Sequence, residues 1–516
     1  MRGVWTPDQV RAAEQRLFER TAEPAVMRRA AHAVSLHTAR LLGRCTGAVS
    51  GRHVTLLVGA GNNGGDALWA GAFLRKRGVG VTALLLAPDK THAAGLAAFR
   101  RAGGRAVDVE GPGADTAGVG AQASAALERA DVVIDGIVGL AARGPLRPRA
   151  AELVRRILVP IVAVDLPSGV DPLTGVADGP AVRAEVTVTF GGRKPAHVLG
   201  AGPVHSGAVA VIDIGLDPYL EEPEFVLLDV ADVGAGWPVP APRDDKYSQG
   251  VVGVAAGSAN FPGAAVLTGG AAVQATSGMV RYAGPAADAV RSHWPEVVAT
   301  GSVADSGRVQ SWAVGPGIGT GSSGRAVMAE ILESGRAVCA DADAITLLAE
   351  DSILWDARDP DAPLVLTPHS GEFARLAGDF GADRVSAARE VAMRYGIVLL
   401  LKGNSTVIAA ADGRVLVNTS GHAWPSTAGS GDVLTGLIGA LLASGVEPWL
   451  ACGYATYVHS LAAEIAAYGG SGAAGTPGTA TDPELDGAPG AGAPIGASAL
   501  LASLPDAVRA VRAHAR

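Results

Sequence analysis

The sequence predicts an α/β protein of two domains, each built on a parallel sheet buried on both faces. Three observations carry that expectation. Short, nearly continuous apolar runs alternate with helical stretches of crossover length, the pattern of strands covered on both sides rather than on one. Glycine-containing turns close several of these runs. The alternation stops near Asp217 and begins again at Lys246, across a stretch rich in proline and acidic residues.

Taken in order, residues Thr6 to about Leu42 have a helical pattern, with Thr6 as cap and Pro7 in the first turn. The apolar runs that follow are "HVTLLVGA", "GVTALLLA", "ADVVIDGIVG", "VPIVAVDLPSG", "AEVTVTF" and "GAVAVIDIG". They define a first domain over residues 1–220, followed by a linker over 221–245. The second series contributes "KYSQGVVGVAAGS", "SWAVGPG", "AVCADADAI", "PLVLTPH" and "IVLLLKG", and then a long helix opening at "GSGDVLTGLIGALLASG". It defines a second domain over residues 246–516. Within that domain, residues 468–496 are rich in Gly, Pro, Ala and Thr, which reads as a disordered insertion.

Bulk composition narrows the function. The chain has 516 residues and a net charge of −8, which argues against a general nucleic-acid binder. No apolar run reaches membrane-spanning length, and the charged, periodic N-terminus does not read as a secretion signal. A soluble, cytoplasmic homo-oligomer is expected. Cys45, Cys339 and Cys452 follow no metal-ligand spacing and read as free thiols.

Two constellations carry chemistry. In the first domain, Gly59, Gly61 and Gly64 fit a dinucleotide-type turn between a strand and a helix, and Asp89 is expected to end the next strand. The turn extends into "NNGGD", Asn62 to Asp66. Asp66 alone reads as a helix cap. Asp135, in "VVIDGIVGLAARGPL", and Asp165 with Ser168, in "IVAVDLPSGVD", close two further strands on the same sheet edge. An amide, carboxylates and a hydroxyl there form an all-oxygen site suited to a hard cation, with a second carboxylate for acid–base work. Lys194, in "GGRKPAH", is a candidate for a phosphate or ring contact, although an exposed lysine is the more ordinary reading.

In the second domain, Gly429, Ser430 and Gly431 precede Asp432 at the head of a long helix. Its N–H groups and dipole suit a transferring phosphoryl group, with Asp432 placed as base. Lys402 and Thr406 follow a strand in "LLLKGNSTVIAA", His369 and Glu372 stand in "VLTPHSGEFARL", and Asp341 and Asp343 stand where one meets Mg²⁺ through water.

The motifs "GxGNNGGD", "VIDGIVG" and "VDLPSGVD" resemble the NAD(P)H-hydrate epimerase family over residues 1 to 220, a Rossmann-like three-layer α/β/α fold. The resemblance implies that Asn62, Asn63, Gly64, Gly65, Asp66, Gly139, Arg143, Gly144 and Asp165 hold a hydrated nicotinamide cofactor, NADHX or NADPHX. It further implies Asp165 as the catalytic group and Asn63, Asp135 and Ser168 as potassium ligands. The chain departs from the family at Leu140 and Ala141, where many members read "GTG" after the strand. From Lys246 onward the motifs are similar to the ADP/ATP-dependent NAD(P)H-hydrate dehydratases, which are ribokinase-like. That resemblance implies Ala264, Gly317, His369 and Asp432 as substrate contacts, with Asp432 catalytic. It implies Lys402, Gly403, Asn404, Ser405, Thr406 and Gly431 as contacts to ADP or ATP, with Mg²⁺ as cofactor. The expected function is therefore repair: epimerisation of R- and S-NAD(P)HX and ADP-dependent dehydration of the S epimer. The alternatives are a vitamin-precursor kinase fused to a nucleotide-binding module, an inert first domain serving as a platform, and a plain dehydrogenase.

Overall fold

The computed structural model describes residues 1–110, 119–276, 278–419, 422–469 and 492–515. They form two compact units, one built from Gly3–Glu224 and the other chiefly from Phe225 onward.

All six expected apolar runs of the first unit are strands. They lie in the order Arg105–Asp108, Gly80–Leu85, His53–Val58, Val132–Gly136, Ile161–Val164, Val186–Phe190, Ala208–Ile212, parallel throughout. Successive residues point to opposite faces. Leu56 therefore joins the cluster under the helices Glu23–Thr46 and Asn62–Lys76, while Leu57 joins the opposite cluster with Leu127 and Leu153. This is the three-layer α/β/α arrangement. The chain leaves the central strand His53–Val58 toward one edge and returns to its other side at Val132–Gly136. That reversal opens a crevice at the carboxyl ends of the strands, the place where such sheets bind ligands. Side chains would close it: a Cβ at Gly59 would overlap the Ile137 carbonyl, and one at Gly64 the Gly59 carbonyl.

Several boundaries differ from expectation. The first helical stretch is two helices, Pro7–Phe18 and Glu23–Thr46, with Thr6 capping the first in a reciprocal box with Gln9. The strand before Asp89 ends at Leu85, and Asp89 is an exposed residue of a single 3₁₀ turn. The expected linker over 221–245 contains the strand Phe225–Leu227, the helix Val230–Gly236 and a buried Trp237, all packed with the second unit's core. The expected insertion over 468–496 lies almost wholly outside the described residues.

The second unit's sheet runs Phe225–Leu227, Val415–Thr419, Ser405–Ala409, Val398–Leu401, Leu364–Leu366, Ala337–Ala340, Ser311–Val314, Val251–Ala255, Met279–Ala283, Val298–Thr300. The strands from Val398–Leu401 to Val298–Thr300 are parallel, while those from Val398 to Thr419 form antiparallel pairs. The helix Ser430–Ala443 is buried from Val433 to its end and crosses Pro262–Ala275 at a glycine: a Cβ at Gly436 would overlap the Thr268 carbonyl. Cys339 and Cys452 are buried free thiols, and Cys45 is exposed. No helix among the described residues is long and apolar enough to cross a membrane.

Candidate active sites

In the first unit, Asn62, Asn63, Asp66, Gly139, Arg143, Gly144 and Asp165 line one cavity of about 1180 Å³ at the strand ends. Leu140 and Ala141, where the chain departs from the family motif, line it too. Asp165 follows the strand Ile161–Val164 with φ +65°. An L-residue takes that conformation only when its surroundings enforce it. Here the surroundings are explicit. Lys194 Nζ donates to Asp165 Oδ1 (2.7 Å), to Thr189 Oγ1 (2.8 Å) and to the Phe190 carbonyl (2.9 Å). Thr189 Oγ1 also donates to Asp165 Oδ1 at 2.8 Å. His197 Nδ1 accepts from the Lys194 N–H, so its Nε2–H donates to the Asp165 carbonyl at 2.8 Å. Burial, followed by the charge of Lys194, pushes the imidazole down to about 3, so it stays neutral. Burial alone would raise the Asp165 carboxyl, but the charge and hydrogen bond of Lys194 hold it below the usual carboxylate range.

The expectation of an exposed Lys194 is therefore wrong: the side chain is 1% exposed and fully engaged. No periodicity betrays a loop lysine paired with a residue 29 positions earlier. Glu14 was also missed. It projects from the helix Pro7–Phe18 into the same cavity, and its carboxyl is raised by burial and then by Asp165. Asp66 does not cap its helix, whose first turn starts after Gly61 with no side-chain cap. It is 5% exposed, its Oδ1 has no hydrogen-bond partner, and burial plus the charges of Asp165 and Glu14 push its carboxyl well up.

Asp135 and Ser168 sit behind the cavity, fully buried. Ser168 gives Asp135 both its hydroxyl (2.7 Å to Oδ1) and its N–H (2.8 Å to Oδ2). The Asn63 amide nitrogen bridges the Val138 and Val164 carbonyls at 3.0 and 2.7 Å. Burial raises Asp135 to about 6, with only hydrogen bonds from Ser168 and Ile137 opposing it and no cationic side chain among the causes. A buried carboxylate so placed among oxygen donors fits a weakly hydrated monovalent cation.

In the second unit, four elements converge below the Gly429 turn. Lys402 Nζ donates to Asp341 Oδ1 (2.7 Å) and stands 3.8 Å from Glu372 Oε2. Thr435 Oγ1 donates to Asp341 Oδ2 at 3.0 Å. A Cβ at Gly431 would lie 3.3 Å from Asp341 Oδ2 and 3.6 Å from Lys402 Nζ, so the helix N-terminus rests on this ion pair. Gly429 (φ +84°) is the cap, and Asp432 makes no capping bond. Burial and the neighbouring Asp341 raise Asp432 to about 7, against the opposing charge of Lys402. His459, buried and neutral, sits 2.9 Å from the Ser430 carbonyl and steadies the turn. Ala342, which follows Asp341, has φ +52°; it and Asp165 are the non-glycine residues with positive φ among the described residues, one at each site.

The remaining candidates are placed unevenly. Gly317, Ala264 and Phe261 converge, since a Cβ at Gly317 would lie 3.4 Å from both. His369 is exposed and caps the helix Ser370–Ala377, its Nδ1 accepting from the N–H groups of Gly371 and Glu372. Gly403 and Asn404 are exposed at the turn, whereas Ser405 and Thr406 are buried at the start of their strand. Asp343 accepts from the Gly319 N–H at 2.8 Å. The expected water-mediated Mg²⁺ contact finds Asp341 engaged by Lys402 and Thr435, and no cage of three ligating side chains forms among the described residues.

Comparison with known proteins agrees with this division. The family described as YjeF-related protein N-terminus matches residues 23–196, and that described as NAD(P)H-hydrate dehydratase matches residues 252–475. A Mycobacterium tuberculosis protein, bifunctional NAD(P)H-hydrate repair enzyme Nnr, is 52% identical over 450 residues, covering 86% of this chain and 90% of its own. The Mycobacterium leprae protein of the same name is 50% identical over 471 residues, covering 90% and 94%. The crystal structure of an ADP/ATP-dependent NAD(P)H-hydrate dehydratase from Bacillus subtilis matches with TM-score 0.45 and 26% identity, covering 55% of this chain and 97% of that one. By its two matched regions and its identity to full-length relatives, the chain belongs to the family of bifunctional NAD(P)H-hydrate repair enzymes.

Proposed function

We infer that the chain returns hydrated nicotinamide cofactors to use in two steps, one in each unit. The first unit interconverts the R and S epimers of NADHX and NADPHX. The second dehydrates the S epimer with ADP, or ATP, as phosphoryl donor. The observation that carries this reading is the presence in one chain of two unlike acid–base centres: Asp165 pinned by Lys194 in an open cavity, and Asp432 beside Lys402 at a glycine-capped helix head.

At the first site the hydroxyl sits on a ring carbon bonded to nitrogen. Losing it as water leaves an iminium, and water returning from the other face gives the other epimer. Nothing is oxidised, so no hydride carrier is needed: the steps call for a proton on the leaving hydroxyl and for a base, Asp165, to take the proton of the returning water. Asn62, Asn63, Asp66, Gly139, Arg143 and Gly144 hold the nucleotide along the cavity, with Gly64 and Gly65 letting the helix approach. Asn63, Asp135 and Ser168 would hold potassium, which supplies positive charge to a carboxylate that no side chain compensates.

At the second site, Asp432 takes the proton of the ring hydroxyl as it attacks the phosphoryl group, while Gly431 and the helix N-terminus face the developing charge. The phosphate then leaves, the neighbouring C–H proton is lost, and the ring double bond is restored. Ala264, Gly317 and His369 contact the hydrated cofactor, and Lys402 to Thr406 contact the nucleotide. The chain builds no side-chain cage for Mg²⁺ among the described residues. Mg²⁺ is usually held by one or two carboxylates together with a substrate's phosphates, and here it would come bound to the nucleotide.

The test is recovery of reduced-nicotinamide absorbance from a mixture of both epimers with ADP, Mg²⁺ and K⁺. The intact chain recovers all of it, Asp165→Asn stops at the S fraction, and Asp432→Asn recovers none. Recovery by neither nucleotide would turn the assignment toward a kinase substrate.

A further inference from the structure

The cavity of the first unit holds more carboxyl groups than the reading above uses. Asp66, Asp165 and Glu14 line it, and among the described residues the cation bonded to any of them is Lys194, on Asp165. Asp165 receives both Lys194 and Thr189 on Oδ1, which leaves Oδ2 for the cavity. Asp66 lies on the helix Asn62–Lys76, just past its first turn, 5% exposed and with Oδ1 unpartnered. A carboxyl group buried without a partner is costly unless it is protonated or met by a ligand. Among the described residues the charged groups that act on it most, Asp165 and Glu14, are both acidic. Lys194, His197, Glu14 and Asp66 face Asp165, while Asp165, Asp66, Lys194, Glu23 and Arg11 face Glu14.

We propose that Asp66 is a second catalytic residue of the epimerase site, donating the proton that lets the ring hydroxyl leave, and that Lys194 is the positioning residue holding Asp165 as the complementary base. The proposal rests on the first unit's being the epimerase. In the forward step the Asp66 O–H bond breaks, its proton joins the ring hydroxyl, the C–O bond breaks and the nitrogen lone pair forms the iminium. Water then adds to the opposite face, the new C–O bond forms, and its excess proton passes to Asp165. Return of that proton to Asp66 through water resets the pair. The opposite epimer, whose hydroxyl faces Asp165, reacts by the reverse of these steps, from the state in which the same water-borne transfer has left the proton on Asp165 and Asp66 ionised. The assignment of opposite states follows from one lysine lying on one of them.

The experiment measures exchange between the epimers with the full chain and no nucleotide, after subtraction of the enzyme-free rate. Asp66→Asn is expected to lower kcat by roughly 10²–10⁴-fold while KM moves less than about threefold. Lys194→Met is expected to move the acid limb of the pH–rate profile upward, because Asp165 loses the charge that keeps it ionised, and Lys194→Arg to restore it. Asp66→Ala with added formate gives a second readout, formate restoring part of kcat. A wild-type kcat in Asp66→Asn, or a raised KM alone, overturns the role of Asp66. If loss of kcat in Asp66→Ala is not reversed by formate although melting is unchanged, the proton transfer is overturned as well. Exchange that persists in Asp165→Asn would instead overturn the underlying reading of the site.

Discussion

Asp432 titrates between two opposed charges, and the direction in which it is displaced sets the pH dependence of the second activity. Burial and Asp341 raise its carboxyl to about 7, against Lys402. As the proposed base it works ionised, so dehydratase kcat/KM is expected to fall as pH drops through about 7. Asp341→Asn removes the like charge and releases Lys402 from its 2.7 Å ion pair, so the acid limb moves to lower pH. A limb that stays in place would remove Asp341 from the field of Asp432. The sequence exposed this residue because "AGSGD" is local: a glycine cap and an acid one helical turn in. It did not expose Lys194, because its burial comes from an ion pair across the fold. Asp66 was legible as a site residue only through the motif around it; taken alone it reads as a cap, and its lack of a partner is set by tertiary packing.

Elements were legible where burial makes the pattern strong. Five of the six apolar runs of the first unit became strands with cover on both faces, and the sixth, Ala208–Ile212, is an edge strand with Val209 buried. Arg105–Asp108 escaped notice as an edge strand with one buried residue among four. The stretch read as a linker because proline and acidic residues masked Leu228, Val233 and Trp237, which the second core buries. In the helix Ser430–Ala443, small residues set how closely the active turn is held. A methyl group at Gly436 would meet the Thr268 carbonyl, which is backbone and cannot rotate aside. Gly436→Ala therefore has to shift the helix that carries Asp432. We expect a loss of about 1–3 kcal/mol from overpacking, read as a lower melting temperature, with dehydratase activity depressed and epimer exchange retained. Equal loss of both activities would show that the strain is not confined to this helix.

At the scale of the whole molecule, each unit has its own sheet, its own core and its own acid–base centre. The intermediate passed between them is a stable small molecule, since an epimerised hydrate differs from its precursor only in the configuration of one carbon. Nothing in the chemistry of either centre requires a group from the other. It follows that the activities complement in trans. A mixture of full-length Asp165→Asn and Asp432→Asn chains, each unable to restore a racemic hydrate alone, is expected to recover all of the reduced cofactor with ADP. The rate should rise with the concentration of either variant until the other limits. Recovery that stops at the S fraction, despite normal epimer exchange by Asp432→Asn, would mean that the epimer must be handed over within one chain. Full recovery would mean that fusion fixes the two activities in equal number and that the hydrate passes through solution.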